Sequence, residues 1–571
     1  MSPKRRKLMQ FASVAVAAGL AGGAWMRWGR GSTNMMHGGA FKPYPFHPVA
    51  ADNFQQNLFI PVARGPLGVL DVTGPISIRA TNAAFTILPG RESPFLLYQV
   101  EHAGKAFQNP ILRIESGAQF SANFSNELTE PSIIHWHGLH TPAAMDGHPS
   151  STIAPAGRFS YNFTVKNRGG TYWYHTHAHG LTAKQAYNGL ASFFLVEDDD
   201  QRRLTQALAL TLGETDLPIV IQDKQFSADG KLRYQPNIHE AMMGWMGDIV
   251  LCNLTPNAVL KVAPRSYRLR LLNGSNARIY RLAFVAGERQ LEFVVIGTDG
   301  GFIERPEVVT EAFLAPGERL DVLFDAAQSA VGTDVFLKSL AFDPMENDGM
   351  TGMAADSSMG NTGNMKHMEN MRGAGHTMAG MGGMAGNMTS SRLPLGMAFN
   401  VMKLSANAAN RAPVNKAKMP AQLSRIMPIN SVGAPERKIA LSHNNQQFLI
   451  NGLSFKMNEN AFEVKRGSVE IWRISNPVMG MPHPMHMHGF SFQVLERQNS
   501  PPQFSTVKRF GKGLMVGDLG WKDTVLVWPG ETVRIAINFT HDFVGDQVYL
   551  FHCHNLEHED AGMMINFLVK S

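Results

Sequence analysis

Cysteine is nearly missing from this chain. Two residues, Cys252 and Cys553, stand among 571, so at most one disulfide could form and no disulfide framework holds the fold. Cys553 lies between His552 and His554, where its thiolate has to stay free; a bridge is therefore not expected, and Cys252 reads as a small buried apolar residue. Charge is sparse too: 17% charged side chains against 44% hydrophobic ones excludes a disordered chain and fits a folded globular one. The net charge of +6 is not gathered into a basic stripe with interleaved aromatics, so nucleic acid is not an expected partner. No apolar run comfortably reaches the roughly 20 residues that a membrane-spanning helix requires. The one weak candidate, Phe11 to Ala24, follows Lys4-Arg5-Arg6-Lys7 and belongs to an expected twin-arginine-type signal peptide over residues 1–31. Export by that route, which carries folded proteins, gives an expected periplasmic location.

What the chain does have is a threefold pattern. It exceeds the length that one hydrophobic core supports. Three segments look alike: Ile114-Glu115-Ser116-Gly117 through Asn126, Lys261-Val262-Ala263-Pro264 through Asn273, and Val464-Lys465-Arg466-Gly467 through Asn476. Each carries an alternating stretch such as Val469-Glu470-Ile471-Trp472-Arg473-Ile474, and a period of two means a half-buried strand. Each leads to a glycine turn and another such strand, at Gly157, Pro316-Gly317-Glu318 and Pro529-Gly530-Glu531. Short strands between turns argue for all-β sandwiches, and the triplication argues for three. Asn126 and Asn273 are 147 residues apart, Asn273 and Asn476 203; the excess of 56 coincides with an anomalous stretch, about 343–392. That stretch holds eleven methionines between Met345 and Met388, lacks the bulk for a core, and reads as an insertion in the second domain. The expected domains are 55–205, 206–405 and 429–571, with a Pro- and Ala-rich connector before the third.

Four His-x-His pairs divide between the two ends: His135 and His137, His175 and His177, His486 and His488, His552 and His554. Alternate side chains on a strand share a face, so each pair sends two imidazoles one way. Eight imidazoles can thus converge on three metal ions. A second set, His483, Cys553, His558 and Met563, offers two imidazoles, a thiolate and a thioether, which suits a mononuclear copper ion of the blue type. Zinc is the chemical rival, but its structural sites favour closed sets of four ligands.

The segments Ile134-His135-Trp136-His137-Gly138, Gly170-Thr171-Tyr172-Trp173-Tyr174-His175-Thr176-His177, His483-Pro484-Met485-His486-Met487-His488-Gly489 and His552 through Met564 resemble the four copper motifs of multicopper oxidases. Gly520-Trp521-Lys522-Asp523-Thr524-Val525 resembles a signature of their third domain. The likeness runs from about residue 55 onward and is nearest to the bacterial copper-efflux, laccase-like branch with Met-rich insertions. It implies three cupredoxin-like Greek-key β-sandwich domains, the insertion lying in the second. It implies four copper ions: type 1 on His483, Cys553 and His558 with Met563 axial, type 2 on His135 and His486, and a type 3 pair on His137, His175, His177, His488, His552 and His554. One-electron oxidation of a substrate would be coupled to four-electron reduction of dioxygen to water, with Cys553 linking the two sites. Asp146 and Glu559 stand at positions that supply protons in relatives.

In that branch the substrate is Cu(I), a soft ion suited to thioethers. Candidates for holding substrate Cu(I) are Met345, Met350, Met353, Met479 and Met481. The pattern departs at Phe342 and Asn347, where a Met and an Asp are expected, and at Met479, where an acid is; Asp343, Glu346 or Asp348 would compensate. Met242 and Met243 read as simply exposed and apolar rather than copper-collecting, and Met35-Met36-His37 stays open. Two rival functions are a general laccase oxidising phenols or aromatic amines, and a non-catalytic exported copper-binding protein. The complete ligand set argues against the second. A monomer is expected.

Overall fold

The computed structural model describes residues 54–61, 65–328, 332–346, 390–406, 419–444 and 447–571. The expected signal peptide, Met35-Met36-His37, Asn347, Asp348, Met350 and Met353 lie outside the described residues. Among those described, strands form three pairs of sheets, and no helix is long and apolar enough to cross a membrane. The first pair spans Gly65–Pro66 to Ala191–Glu197, the second is built chiefly from Asp216–Phe226 to Phe399–Ala406, and the third runs from Glu436–Asn444 to Met564–Lys570. Each pair encloses its own apolar core. The all-β expectation matches.

The repeat seen in the sequence recurs atom by atom. Gln119–Asn126 pairs antiparallel with Arg158–Thr164, Ser266–Asn273 with Arg319–Asp325, and Val469–Ser475 with Thr532–Asn538. The three asparagines are buried, and each donates twice from Nδ2 to carbonyls of its own sandwich. Asn126 reaches Glu130 and Ile153, Asn273 reaches Arg278 and Leu314, and Asn476 reaches Met481 and Val527. A buried amide satisfied in this way fixes the corner after its strand.

One boundary differs from expectation. Gln56–Asn57, placed at the start of the first domain, pairs parallel with Ala258 and Val259, and Leu58 joins the middle core. A two-residue strand has no periodicity by which sequence could assign it a sheet. Gly170–Thr176 also breaks the alternating rule, being buried throughout. Tyr172 and Tyr174 fill the first core while Trp173 packs with Leu272 of the middle sandwich, so both faces are covered.

Candidate metal centres

Each His-x-His pair sits where a strand ends. His135, His175, His486 and His552 lie in the final residues of Ile134–His135, Gly170–Thr176, His483–Met487 and Gln547–Cys553. The second histidine of each pair lies just beyond. Alternation still holds, and rings within a pair are 5.1–6.0 Å apart. His135 is the cross-strand partner of His175, and His486 that of His552. The two halves interleave: His137 stacks on His486 and His135 on His488, each at 3.7 Å between ring centres.

Hydrogen bonds fix the tautomers. Nδ1–H of His135 donates to the Asp146 carbonyl at 2.7 Å, of His486 to the Asp523 carbonyl at 2.9 Å, and of His552 to the Cys553 carbonyl at 2.9 Å. His488 donates from Nδ1 to Asp146 Oδ2 at 2.6 Å. These rings keep only a lone pair at Nε2. Yet Nε2 of His135 faces Nε2 of His486 at 3.3 Å, and Nε2 of His488 faces that of His552 at 3.0 Å. Lone pairs so placed repel unless a cation lies between them. Neither ring nitrogen of His554 has a hydrogen-bond partner, a costly state for a buried imidazole that is not a ligand. Burial, reinforced by neighbouring imidazoles, holds His135, His137, His177, His488, His552 and His554 well below the usual histidine range, so they are neutral and able to ligate. The residues fit a cluster of metal ions.

The structure brings three members of the second set together. Cys553 Sγ lies 3.5 Å from His483 Nδ1 and 3.7 Å from His558 Nδ1, all three fully buried. Met563 is buried in the same core, its N–H bonded to the His558 carbonyl and its carbonyl accepting from Cys553. Burial pushes the Cys553 thiol up, so it becomes a thiolate only with a cation bound. Cys252, by contrast, is plain core: buried, with its thiol pushed up to about 12 by burial.

Asp146 and Glu559 both reach the cluster. Asp146 supports His488 through its carboxylate and His135 through its carbonyl. Gly147 is bound to be glycine, since its φ is +85° and a Cβ would lie 2.1 Å from the Ile134 carbonyl oxygen. Glu559 Oε2 is 3.3 Å from His552 Nδ1 and Oε1 3.6 Å from His177 Nε2, and neither oxygen has a hydrogen-bond partner. Burial raises both carboxyls well above the carboxylate range.

Sequence reasoning missed Asp523 and Arg319. Asp523 Oδ1 accepts from His137 Nε2 at 3.1 Å, leaving that ring's Nδ1 to face His175 Nε2 at 3.3 Å. Burial opposes ionisation of Asp523, but the Arg319 guanidinium and His137 hold it well below the usual range. Asp523 stood within the quoted third-domain signature, which was the available signal; Arg319 carried none. The middle sandwich, though it lacks a His-x-His pair, reaches the cluster at Gly317, where a Cβ would sit 3.0 Å from the His554 ring.

The substrate candidates divide. Met345 is partly buried and packs against the core containing Met481, Cys553 and Met563, whereas Met479 is 64% exposed. Met242 and Met243 are not ordinary surface residues: they too pack on that core, and the Met242 carbonyl accepts from His558 Nε2 at 2.9 Å. Phe342 is buried against Phe313 and Trp528, so it is structural.

Family models described as multicopper oxidase match residues 98–201, 222–352 and 430–571. The chain is 30% identical over 458 residues to the multicopper oxidase mco of Staphylococcus haemolyticus, covering 80% of each. It is 30% identical over 487 residues to a laccase of Bacillus subtilis, covering 80% of this chain and 82% of that one. The crystal structure of the McoA multicopper oxidase of Aquifex aeolicus matches with a TM-score of 0.74 and 36% identity, over 90% of this chain and 100% of that one. With sandwich repeats, converging imidazoles and these likenesses in agreement, the chain belongs to the multicopper oxidase family.

Proposed function

We propose that this oxidase takes Cu(I) as its reductant, converting it to Cu(II) and reducing dioxygen to water, as a copper-detoxifying enzyme exported to the periplasm by the twin-arginine route. The anchoring of the methionine-rich stretch carries the Cu(I) part. Before the stretch, Met345 packs on the core around Met481, Cys553 and Met563. After it, Ser390 donates from its N–H at 2.7 Å, and from its hydroxyl, to Glu240 of the helix Ile238–Met243. That helix covers His558 through the Met242 carbonyl. The described residues on either side of this methionine-rich sequence are thus tied to elements beside the Cys553 set, where a soft cation would give up its electron.

His483, Cys553, His558 and Met563 would hold the type 1 ion, and His135 with His486 the type 2 ion. His177, His488 and His552 share one space, and His137, His175 and His554 another, judged by ring separations of 5.0–5.5 Å; these would hold the type 3 pair. Bound copper supplies the one-electron chemistry. The chain supplies the rest: His552 and His554 flank Cys553, Asp523 and Asp146 orient imidazoles, and Asp146 and Glu559 place carboxyls beside the cluster where burial favours the protonated form.

The test replaces residues 347–389 with a short Gly/Ser linker, keeping both anchors. Cu(I) oxidation should fall and oxidation of a bulky phenol should rise; an unaltered Cu(I) rate removes the stretch from substrate binding. The likeness to the B. subtilis laccase favours a second reading, a general laccase for phenols or aromatic amines, which predicts faster steady-state rates on a phenol than on Cu(I). A non-catalytic copper-binding role predicts no oxygen uptake by the copper-loaded chain.

A further inference from the structure

Glu557, next to the ligand His558, is buried, and its partners all come from the middle sandwich and its loops. Its Oε1 accepts from Asn276 Nδ2 at 2.7 Å and from the Tyr234 hydroxyl at 3.0 Å, and its Oε2 from the Trp245 N–H at 3.0 Å. Asn276 also accepts from the Leu556 N–H through its own carbonyl at 3.1 Å. The short helix Leu556–Asp560 is therefore fastened by one carboxylate to an element more than 280 residues away in sequence. The next residue, His558, turns Nδ1 toward Cys553 Sγ and Nε2 toward the Met242 carbonyl. One middle-domain segment, Tyr234 through Trp245, thus grips both Glu557 and His558.

We infer that Glu557 is a positioning residue for the Cys553 centre: it sets the angle at which His558 meets the metal. The inference rests on the type 1 assignment of His483, Cys553 and His558. Three donors on one carboxylate leave the helix little freedom. Exchanging Glu557 for glutamine replaces an acceptor oxygen with a donor nitrogen that faces other donors, so the grip fails while volume is kept. A ligand held by neighbouring hydrogen bonds typically loses 10–100-fold in metal affinity when they are removed.

The test compares copper-loaded wild type with Glu557→Gln and with Tyr234→Phe, which removes one bond at a half-buried position and leaves the carboxylate. Two readouts are taken: the visible thiolate-to-copper band, and retention of that ion against a competing chelator. Glu557→Gln should shift or broaden the band and weaken retention at least tenfold; Tyr234→Phe should move both the same way by less. A merely structural role would lower the thermal midpoint of the copper-free protein and leave the band in place. Variants whose band and retention equal those of wild type overturn the inference. A fully loaded wild type without the band overturns the type 1 assignment itself, and the positioning role with it.

Discussion

Replacing Arg319 with methionine probes the joint that holds the histidine cluster. Arg319 is 1% exposed, and its guanidinium bonds all three sandwiches. It donates to the Thr171 carbonyl at 3.0 Å in the first, to the Gly317 and Asp299 carbonyls at 2.8 and 3.0 Å in the second, and to both oxygens of Asp523 in the third, Oδ1 at 2.8 Å. Methionine fills most of the space but leaves Asp523 as a buried carboxylate short of its main partner, and takes one donor from each of three carbonyls. Removing one member of a buried ion pair costs about 3–5 kcal/mol. Lys522, bonded to Asp299 and Glu318, is too occupied to replace it. The assay is denaturant unfolding of copper-free protein followed by two probes, since separate sandwiches can unfold separately. Adding Asp523→Asn to Arg319→Met removes the stranded charge while keeping an oxygen for His137. The pair should therefore cost less than the sum of the singles by about 1–3 kcal/mol. If Arg319→Met stays within about 1 kcal/mol of wild type, or the two changes simply add, the clamp argument fails.

Three other outcomes follow from the same geometry. Asp146→Asn keeps an acceptor for His488 Nδ1 but removes an acidic proton; oxygen turnover should fall roughly a hundredfold at full copper content, and undiminished turnover takes Asp146 off the proton route. Cys553→Ser should abolish the thiolate-to-copper band and lower the bound copper by one ion; a band that survives the exchange contradicts the ligand assignment. Lys224 is buried, donates to the Tyr187 carbonyl, and is lowered by burial to about 7. Between that value and its ordinary 10.5 the folded chain binds fewer protons than the unfolded one, so stability rises with pH across this window and the cost is complete below it. Lys224→Met should thus stabilise at pH 6 by a few kcal/mol at most (about 1.4 per pK unit), with the gain shrinking toward pH 10; a gain that grows with pH has the wrong sign.

What could be read in the sequence was what side-chain identity and short spacing encode. The histidine pairs are legible because alternation needs only two residues of regularity, and each pair keeps it even though every strand ends inside the pair. Asn126, Asn273 and Asn476 are legible because the same corner is built three times. Asp523 is different. It looks like any acid in a third-domain signature, and its role depends on His137, 386 residues away. The helix Ile238–Met243 did offer a local sign, since Asn237 and Glu240 form a capping box, but nothing in it announces a cover for His558. The middle sandwich acts on the two centres through the side chains of Arg319, Asn276 and Tyr234 and also through backbone: the Met242 carbonyl, the Trp245 N–H, and the bare Cα of Gly317 against His554. No one-letter code displays such groups. Side-chain exchanges at Met242 or Trp245 leave the bonding carbonyl and amide where they are, whereas Trp245→Pro deletes the donor to Glu557 outright. At these backbone contacts the middle domain constrains the centres by the path of its chain, whereas at Arg319, Asn276 and Tyr234 it does so by side-chain identity.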